Sequence, residues 1–134
     1  MNIVTIIQAR MSSTRLPGKV MMDLAGKKIL LRVIDAAKEI IAANKVIVAT
    51  SNQREDKVIQ DLCNSNGIEC YQGSLTNVLE RFYNCAKLYK ADIIVRITAD
   101  CPFIDPDIAS SVIHLLKREK LDYASNVDPA SWPN

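Results

Sequence analysis

Residues 2–9, NIVTIIQA, run directly into residues 10–19, RMSSTRLPGK, and this junction decides the fold class. The first stretch is rich in β-branched residues and almost continuously apolar, which is typical of a strand buried on both faces of a parallel sheet. The second stretch is polar and basic, and its Pro17-Gly18 pair favours a turn. The junction therefore predicts a central strand that ends in a basic loop.

Strands and helices alternate along the rest of the chain. Residues 45–50, 68–72 and 91–98 predict further buried strands, and residues 121–126 predict a last one. Helical spacing predicts helices over residues 27–43, 54–67, 75–90 and 107–119. The core-facing positions expected in the first three helices are Leu30, Val33, Ile34, Ala37, Ile40, Ile41, Val58, Ile59, Leu62, Val78, Leu79, Phe82, Tyr83, Ala86 and Tyr89.

This alternation predicts an α/β fold with a mostly parallel sheet between two helical layers, a three-layer α/β/α arrangement, in one domain over residues 1–134. Functional sites in such sheets lie beyond the carboxyl ends of the strands. We therefore expect four loops to share one edge of the sheet, at residues 10–19, 50–54, 72–76 and 98–104.

Composition excludes several classes of function. The net charge is +2 and no long block of like charge occurs, which argues against nucleic acid as a partner. No apolar run approaches the ~20 residues that a membrane span needs, and no signal peptide is recognisable. The four cysteines form no CxxC pair, which indicates free thiols and a cytoplasmic protein. His114 is the one histidine, so zinc sites and histidine-based triads are not expected.

The basic loop has the chemistry of a phosphate site. Arg10, Arg15 and Lys19 supply cationic donors, and three consecutive hydroxyl residues at positions 12–14 supply further hydrogen-bonding groups. The loop matches neither GxxxxGK[ST] nor GxGxxG. A solvated basic turn is the alternative interpretation, but the position after the first buried strand favours a polyphosphate site.

The last predicted strand leads into a second group of candidate residues. Asp100 follows its apolar run, where a carboxylate can hold Mg²⁺ together with substrate phosphates. Asp105 precedes Pro106 and is better explained as a helix cap than as a catalytic group. Cys101 has no general base nearby in the sequence, which argues against a nucleophilic role.

Residues 6–35, IIQARMSSTRLPGKVMMDLAGKKILLRVID, resemble the N-terminal signature of the sugar-activating cytidylyltransferases, which include CMP-Kdo synthetase and acylneuraminate cytidylyltransferase. Residues 73–87 and 95–106 resemble the branch named for spore coat polysaccharide biosynthesis protein F. The signature positions present here are Ala9, Arg10, Ser13, Arg15, Pro17 and Lys19, followed by Gly26 and Lys27. The family has a Rossmann-like nucleotide-diphospho-sugar transferase fold, which the resemblance implies for this chain.

The resemblance also implies roles for individual residues. Nucleotide binding is implied for Ala9, Arg10, Ser13, Arg15, Lys19, Thr50, Ser51, Gly73 and Ser74. Arg15, Lys19 and Asp100 would be catalytic, the first two through the triphosphate and Asp100 through Mg²⁺. Arg81 would help to close the wall of the nucleotide pocket, and a helix cap is the alternative interpretation of Gly73-Ser74.

The reaction implied is transfer of CMP from CTP to a sugar hydroxyl with release of pyrophosphate, for surface or spore-coat polysaccharide. Family members are considerably longer than this chain, and their C-terminal part contributes acceptor contacts and much of a homodimer interface. We therefore expect an N-terminal part of the family fold that binds nucleotide with or without turnover. Gln8 replaces the proline of the Kdo and sialic acid enzymes, which leaves the acceptor sugar open.

Two other functions compete with this one. A glycosyltransferase would use a similar nucleotide-binding half-sheet with an acidic DxD ligand pair, and residues 105–107, DPD, are the one such match. A noncatalytic nucleotide-binding domain is the third hypothesis, and turnover by a full-length protein would separate it from the first.

Overall fold

The structure, a computed structural model, describes residues 1–12 and 16–126. Its main sheet has four parallel strands, β1 (Ile3–Gln8), β4 (Lys45–Ser51), β5 (Glu69–Gly73) and β6 (Ile93–Thr98). A two-stranded antiparallel ribbon, β2 (Asp23–Leu24) and β3 (Lys27–Lys28), precedes the first helix. The helices are α1 (Ile29–Lys38), α2 (Lys57–Ser65), α3 (Val78–Leu88) and α4 (Pro106–Arg118).

The strand order is β5-β4-β1-β6, so the chain moves outward from β1 to β5 and then crosses back to add β6 on the other side of β1. Crossovers between parallel strands are right-handed, so the helices of two crossovers that run in opposite directions along the sheet lie on opposite faces of it. The packing agrees, because α1, α2 and α4 share one apolar cluster and α3 belongs to the other. The predicted three-layer arrangement is confirmed.

Strand β1 is the centre of the core, as its composition predicts. Residues 3–7 are all buried, because cluster residues cover both faces of the strand. Ile3 and Ile7 pack on the α1 side, whereas Val4 and Ile6 pack beneath α3. A strand buried on both faces cannot show polar and apolar alternation, and this explains its continuous apolar sequence.

Some helix predictions are wrong at the edge of the apolar stripe. Ile41, Val58, Leu79 and Tyr83 are 92%, 42%, 81% and 62% exposed. Helix α1 ends at Lys38, so Ile41 lies in the following turn. Neighbouring residues on a helix differ by about 100° in direction, and a pair of adjacent apolar residues therefore places one outside the buried face.

Several other expectations can be compared with the structure. Residues 121–126 form no strand, since no neighbouring strand pairs with them. The predicted cap is confirmed, because Asp105 Oδ1 accepts hydrogen bonds from the N–H groups of Asp107 at 2.9 Å and Ile108 at 3.3 Å. His114 is an exposed residue of α4, and no disulfide joins the cysteines of the described ranges. No helix in the described ranges is long and apolar enough to cross a membrane.

Candidate functional site

A cleft of about 200 Å³ opens where β1 and β6 end side by side. It lies at the point where the strand order reverses, which is where parallel α/β sheets bind ligands. The expected loops do share this edge: Gln8 is opposite Thr98, and Ser51 is opposite Gly73. The cleft is lined by Gln8, Arg10, Ser12, Leu16, Lys19, Val20, Thr98, Ala99 and Asp100.

The basic loop is closed at its base by a backbone hydrogen bond. The Gly18 N–H donates to the Met11 carbonyl oxygen at 2.8 Å. Gly18 has φ +74°, a conformation that glycine adopts without the cost imposed by a side chain. Lys19 then begins a short 3-10 turn, Lys19–Met21, and lines the cleft. Arg10 and Lys19 therefore reach the same cleft from opposite ends of the loop.

Asp56 is a site residue that sequence reasoning missed. It is 0% exposed, and its Oδ1 accepts a hydrogen bond from the Met11 N–H at 2.7 Å. Its Oδ2 accepts a short hydrogen bond from Ser51 Oγ. A buried carboxylate on the segment before α2 therefore ties the base of the loop to the end of β4. The sequence signal was only an acid in a helix-opening turn, which usually reflects helix capping.

Arg81 is buried against the end of β5. Its Nη1 donates to the Ser74 carbonyl oxygen at 3.0 Å, while Nε and Nη2 have no partner among the described residues. A Cβ added to Gly73 would lie 2.9 Å from Arg81 Cγ, so glycine is what leaves room for the guanidinium stem. Burial and the nearby Arg10 charge lower the pKa of Arg81, whereas Asp56 raises it.

Among the described residues that line the cleft, Asp100 carries the one carboxylate, and it is exposed. No group of three or more histidine, cysteine, aspartate or glutamate side chains in the described ranges could by itself hold a metal ion. Mg²⁺ usually binds through one or two carboxylates, with water and substrate phosphates completing its shell. A lone carboxylate beside Arg10 and Lys19 fits that kind of site, and does not fit a site built wholly from protein ligands.

The other predicted site residues lie at the same edge but differ in exposure. Ala9 is 1% exposed and packs in the core. Thr50 is 0% exposed, and its hydroxyl has no hydrogen-bond partner among residues 1–12 and 16–126. Ser51 is likewise buried, and its hydroxyl donates a hydrogen bond to Asp56. Ser13 and Arg15 lie outside the described residues.

The 73–77 turn bears on the helix-cap interpretation of Gly73-Ser74, because another residue caps α3. The N-cap of α3 is Asn77, whose side chain accepts a hydrogen bond from the Glu80 N–H at 2.9 Å. Ser74 Oγ accepts a hydrogen bond at 3.1 Å from the N–H of Asn77, the N-cap residue itself, and not from an N–H group in the first turn of α3. The nucleotide role of Gly73 and Ser74 stays a prediction.

A second cleft, of about 230 Å³, lies at the amino ends of β4 and β5. Its lining includes Lys45, whose ammonium group is already paired with Glu69 at 2.8 Å. Arg10, Lys19 and Asp100 all lie at the opposite edge. We therefore assign the candidate site to the carboxyl edge.

Comparison with known proteins finds relatives over most of the chain. The cytidylyltransferase family model matches residues 4–131. Spore coat polysaccharide biosynthesis protein SpsF of Bacillus subtilis is 33% identical over 126 residues, which cover 91% of this chain and 52% of that protein. The 3-deoxy-manno-octulosonate cytidylyltransferase of Chloroherpeton thalassium is 30% identical over 132 residues, covering 96% of this chain and 52% of the enzyme.

A solved structure supports the fold assignment. A cytidylyltransferase from Leptospira borgpetersenii superposes with a TM-score of 0.84 at 34% identity, covering 90% of this chain and 50% of that one. The chain thus spans about half the length of the relatives it matches, and its fold is the Rossmann-like nucleotidyltransferase fold. With the family model matching nearly the whole sequence, the chain belongs to the cytidylyltransferase family of enzymes.

Proposed function

We propose that this chain is the nucleotide-binding part of an enzyme that transfers CMP from CTP to a sugar hydroxyl and releases pyrophosphate. One observation carries the proposal: Arg10, Lys19 and Asp100 meet in one cleft at the point where the strand order reverses. Two cations and a carboxylate are the groups that a triphosphate with its counter-cation requires.

The chain's own residues would work by position and charge. The attack of a sugar hydroxyl on the α-phosphorus breaks the bond to the β-phosphate, and negative charge develops on the leaving pyrophosphate. Lys19, held by the turn after Gly18, would neutralise that charge, together with Arg15. Arg10 would hold the nucleotide at the other side of the loop. No covalent enzyme intermediate is needed, so a site without histidine is adequate.

Asp100 would hold Mg²⁺ against the α-phosphate, with phosphate oxygens and water as the other ligands. When bound there, Mg²⁺ would act as a Lewis acid toward the phosphate and would lower the pKa of a nearby hydroxyl. The remaining contributions come from Arg10 and Lys19, which orient the triphosphate so that its leaving group faces away from the acceptor.

In the relatives, the part that matches this chain is about half of a longer protein, and the proposal concerns that longer protein as well. We expect a sugar acceptor, surface or spore-coat polysaccharide as the destination of the product, a cytoplasmic location and a homodimer. The names of the relatives support this assignment, since one acts on 3-deoxy-manno-octulosonate and another serves spore coat polysaccharide synthesis.

A glycosyltransferase is disfavoured by one contact. Of the DPD sequence at residues 105–107, Asp105 is engaged as the N-cap of α4 through its Oδ1, which leaves no free acidic pair there. A noncatalytic nucleotide-binding domain remains the second candidate, because the chain covers about half of its relatives.

Calorimetric titration with CTP, UTP, GTP and ATP, with and without Mg²⁺, tests the proposal. We expect tightest binding of CTP with Mg²⁺, about tenfold or more weaker binding in Lys19→Ala, and loss of the Mg²⁺ effect in Asp100→Asn. Lys38→Ala is the matched control, because Lys38 is exposed at the opposite edge.

Pyrophosphate release with sugar acids then separates an enzyme from a binding domain. Turnover that Asp100→Asn abolishes supports the enzyme. The proposal fails if no triphosphate binds, or if Asp100→Asn leaves Mg²⁺-dependent turnover intact.

A further inference from the structure

The Asp56 carboxylate lies in the interior, next to a cleft whose chemistry suits a polyanion. Asp56 is 0% exposed, and the N–H group that it accepts from belongs to Met11, the residue directly after Arg10 of the cleft lining. Burying a carboxylate is costly unless hydrogen bonds compensate it, and a negative charge at this place repels phosphate. The presence of Asp56 here therefore requires a reason other than attraction of the ligand.

The Met11 backbone is held on both sides. Its N–H donates to Asp56 Oδ1 at 2.7 Å, and its carbonyl oxygen accepts from the Gly18 N–H at 2.8 Å. A peptide bond is planar, so the Met11 N–H and the Arg10 carbonyl group turn as one rigid unit. The hydrogen bond to Asp56 therefore fixes the orientation of the peptide that joins Arg10 to Met11.

The same contacts determine where Lys19 begins. Lys19 directly follows Gly18, whose N–H is bonded to Met11, and it lines the cleft from the other end of the loop. Arg10 and Lys19 are thus each one residue away from a backbone group in this chain of hydrogen bonds. The second oxygen of Asp56 accepts from Ser51 Oγ, which ties the chain of contacts to the end of β4.

We propose that Asp56 is a positioning residue for triphosphate binding, which orients Arg10 and Lys19 through the Met11 backbone without touching the ligand. This inference rests on the proposed function and deepens it. Position and charge predict opposite effects for the loss of Asp56. By charge alone, removing an acid near the phosphates tightens their binding, whereas loss of the orientation of two cations weakens it.

The first test measures the affinity for CTP with Mg²⁺ by calorimetry in two variants of Asp56. Asp56→Ala removes the acceptor of the Met11 N–H, and we expect CTP to bind about tenfold more weakly. Asp56→Asn keeps an oxygen that can accept from Met11 and removes only the charge, so we expect affinity equal to or higher than that of the wild type. Glu55→Ala, which removes an exposed acid from the same 3-10 turn, should change the affinity by less than about twofold.

The second test combines Asp56→Ala with Arg10→Ala. If Asp56 acts by orienting Arg10, its removal should weaken CTP binding at least about threefold less in the Arg10→Ala background than in the wild type. A general loosening of the fold would cost the same factor in both backgrounds. All four proteins are compared at a temperature below the onset of their thermal unfolding.

The outcomes separate this inference from the proposed function. The positioning role is overturned, and the proposed function stands, if the wild type binds CTP with Mg²⁺ and Asp56→Ala binds it at least as tightly. It is also overturned if Asp56→Asn loses as much affinity as Asp56→Ala, or if Asp56→Ala costs the same factor with and without Arg10. If Asp56→Ala does not fold, Asp56→Asn decides: affinity equal to or above the wild type supports the role, and any weakening beyond about twofold overturns it. A wild type that binds no triphosphate overturns the proposed function and this inference together.

Discussion

Replacing Asp56 by alanine tests whether the buried carboxylate holds the basic loop. The substitution leaves the Met11 N–H without its acceptor at 2.7 Å and frees the hydroxyl of Ser51. A buried donor left unpaired costs about 1–3 kcal/mol, and a serine hydroxyl recovers part of that loss by rotating. We therefore expect the free energy of unfolding to fall by about 2–4 kcal/mol.

Asp56→Asn separates the loss of charge from the loss of both contacts. The amide oxygen can still accept from Met11, and the amide nitrogen can donate to Ser51, at the strength of neutral hydrogen bonds. We expect a loss of about 1 kcal/mol, intermediate between the wild type and Asp56→Ala. Glu55→Ala is the matched control, because Glu55 is an exposed acid in the same 3-10 turn, Arg54–Asp56.

Urea unfolding measures all three variants. A lower midpoint at unchanged slope reports a change in stability alone. The midpoint of thermal unfolding should fall by about 10 °C in Asp56→Ala, given several degrees per kcal/mol for a domain of this size. An Asp56→Ala loss no larger than that of Glu55→Ala would show that Asp56 acts only as a helix-terminal charge, and would refute the reasoning.

Three further predictions concern the fold. Asp105→Ala removes the two N-cap hydrogen bonds of α4 and should lower the free energy of unfolding by about 1 kcal/mol in urea; an effect no larger than that of Asp107→Ala, which leaves the cap in place, would contradict the capping role. The hydrogen bond from Lys45 lowers the pKa of Glu69 from its ordinary value of 4.5, so the stabilisation from this pair is present above pH 4.5 and is lost as the pH falls through the lower pKa of the folded state. Glu69→Gln removes the titrating group, so the free energy of unfolding should decline slightly less steeply with acid in the variant than in the wild type. Identical pH profiles of stability for the two proteins would refute this prediction. Burial raises the pKa of Cys85 to about 11, so at pH 8 a disulfide reagent should label Cys85 in urea-unfolded protein and not in folded protein; rapid labelling in the folded state would contradict its burial.

The local pattern was sufficient to predict the elements around the site. Continuous apolar character predicted β1 as a buried strand, and Asp105-Pro106 predicted the start of α4. The ribbon of β2 and β3 was not predicted, because its strands are two residues each and carry no periodicity. Its turn has φ values of 52° at Ala25 and 85° at Gly26, a geometry that the sequence indicated only through the glycine.

The charged residues that line the cleft could be predicted from the sequence, whereas the buried charged residues behind it could not. Arg10 and Asp100 stood out because charged residues just after apolar runs fall at the carboxyl ends of strands, and Lys19 stood out as a cation of the same basic loop as Arg10. Asp56 and Arg81 sit within helix-forming segments, where a charged residue normally faces solvent. Their burial depends on contacts with Met11 and Gly73, which are distant in the sequence.

The sequence by itself therefore determined the fold class, the family resemblance and the edge of the sheet where the chemistry lies, because periodicity and strand-end composition are local properties of the chain. Only the tertiary structure decided which polar groups lie inside. The carboxylate of Asp56 accepts from the base of the loop, 45 residues away in the sequence, and the side chain of Arg81 is buried against β5. Those placements follow from strand order and helix packing, which bring together residues that no local pattern connects.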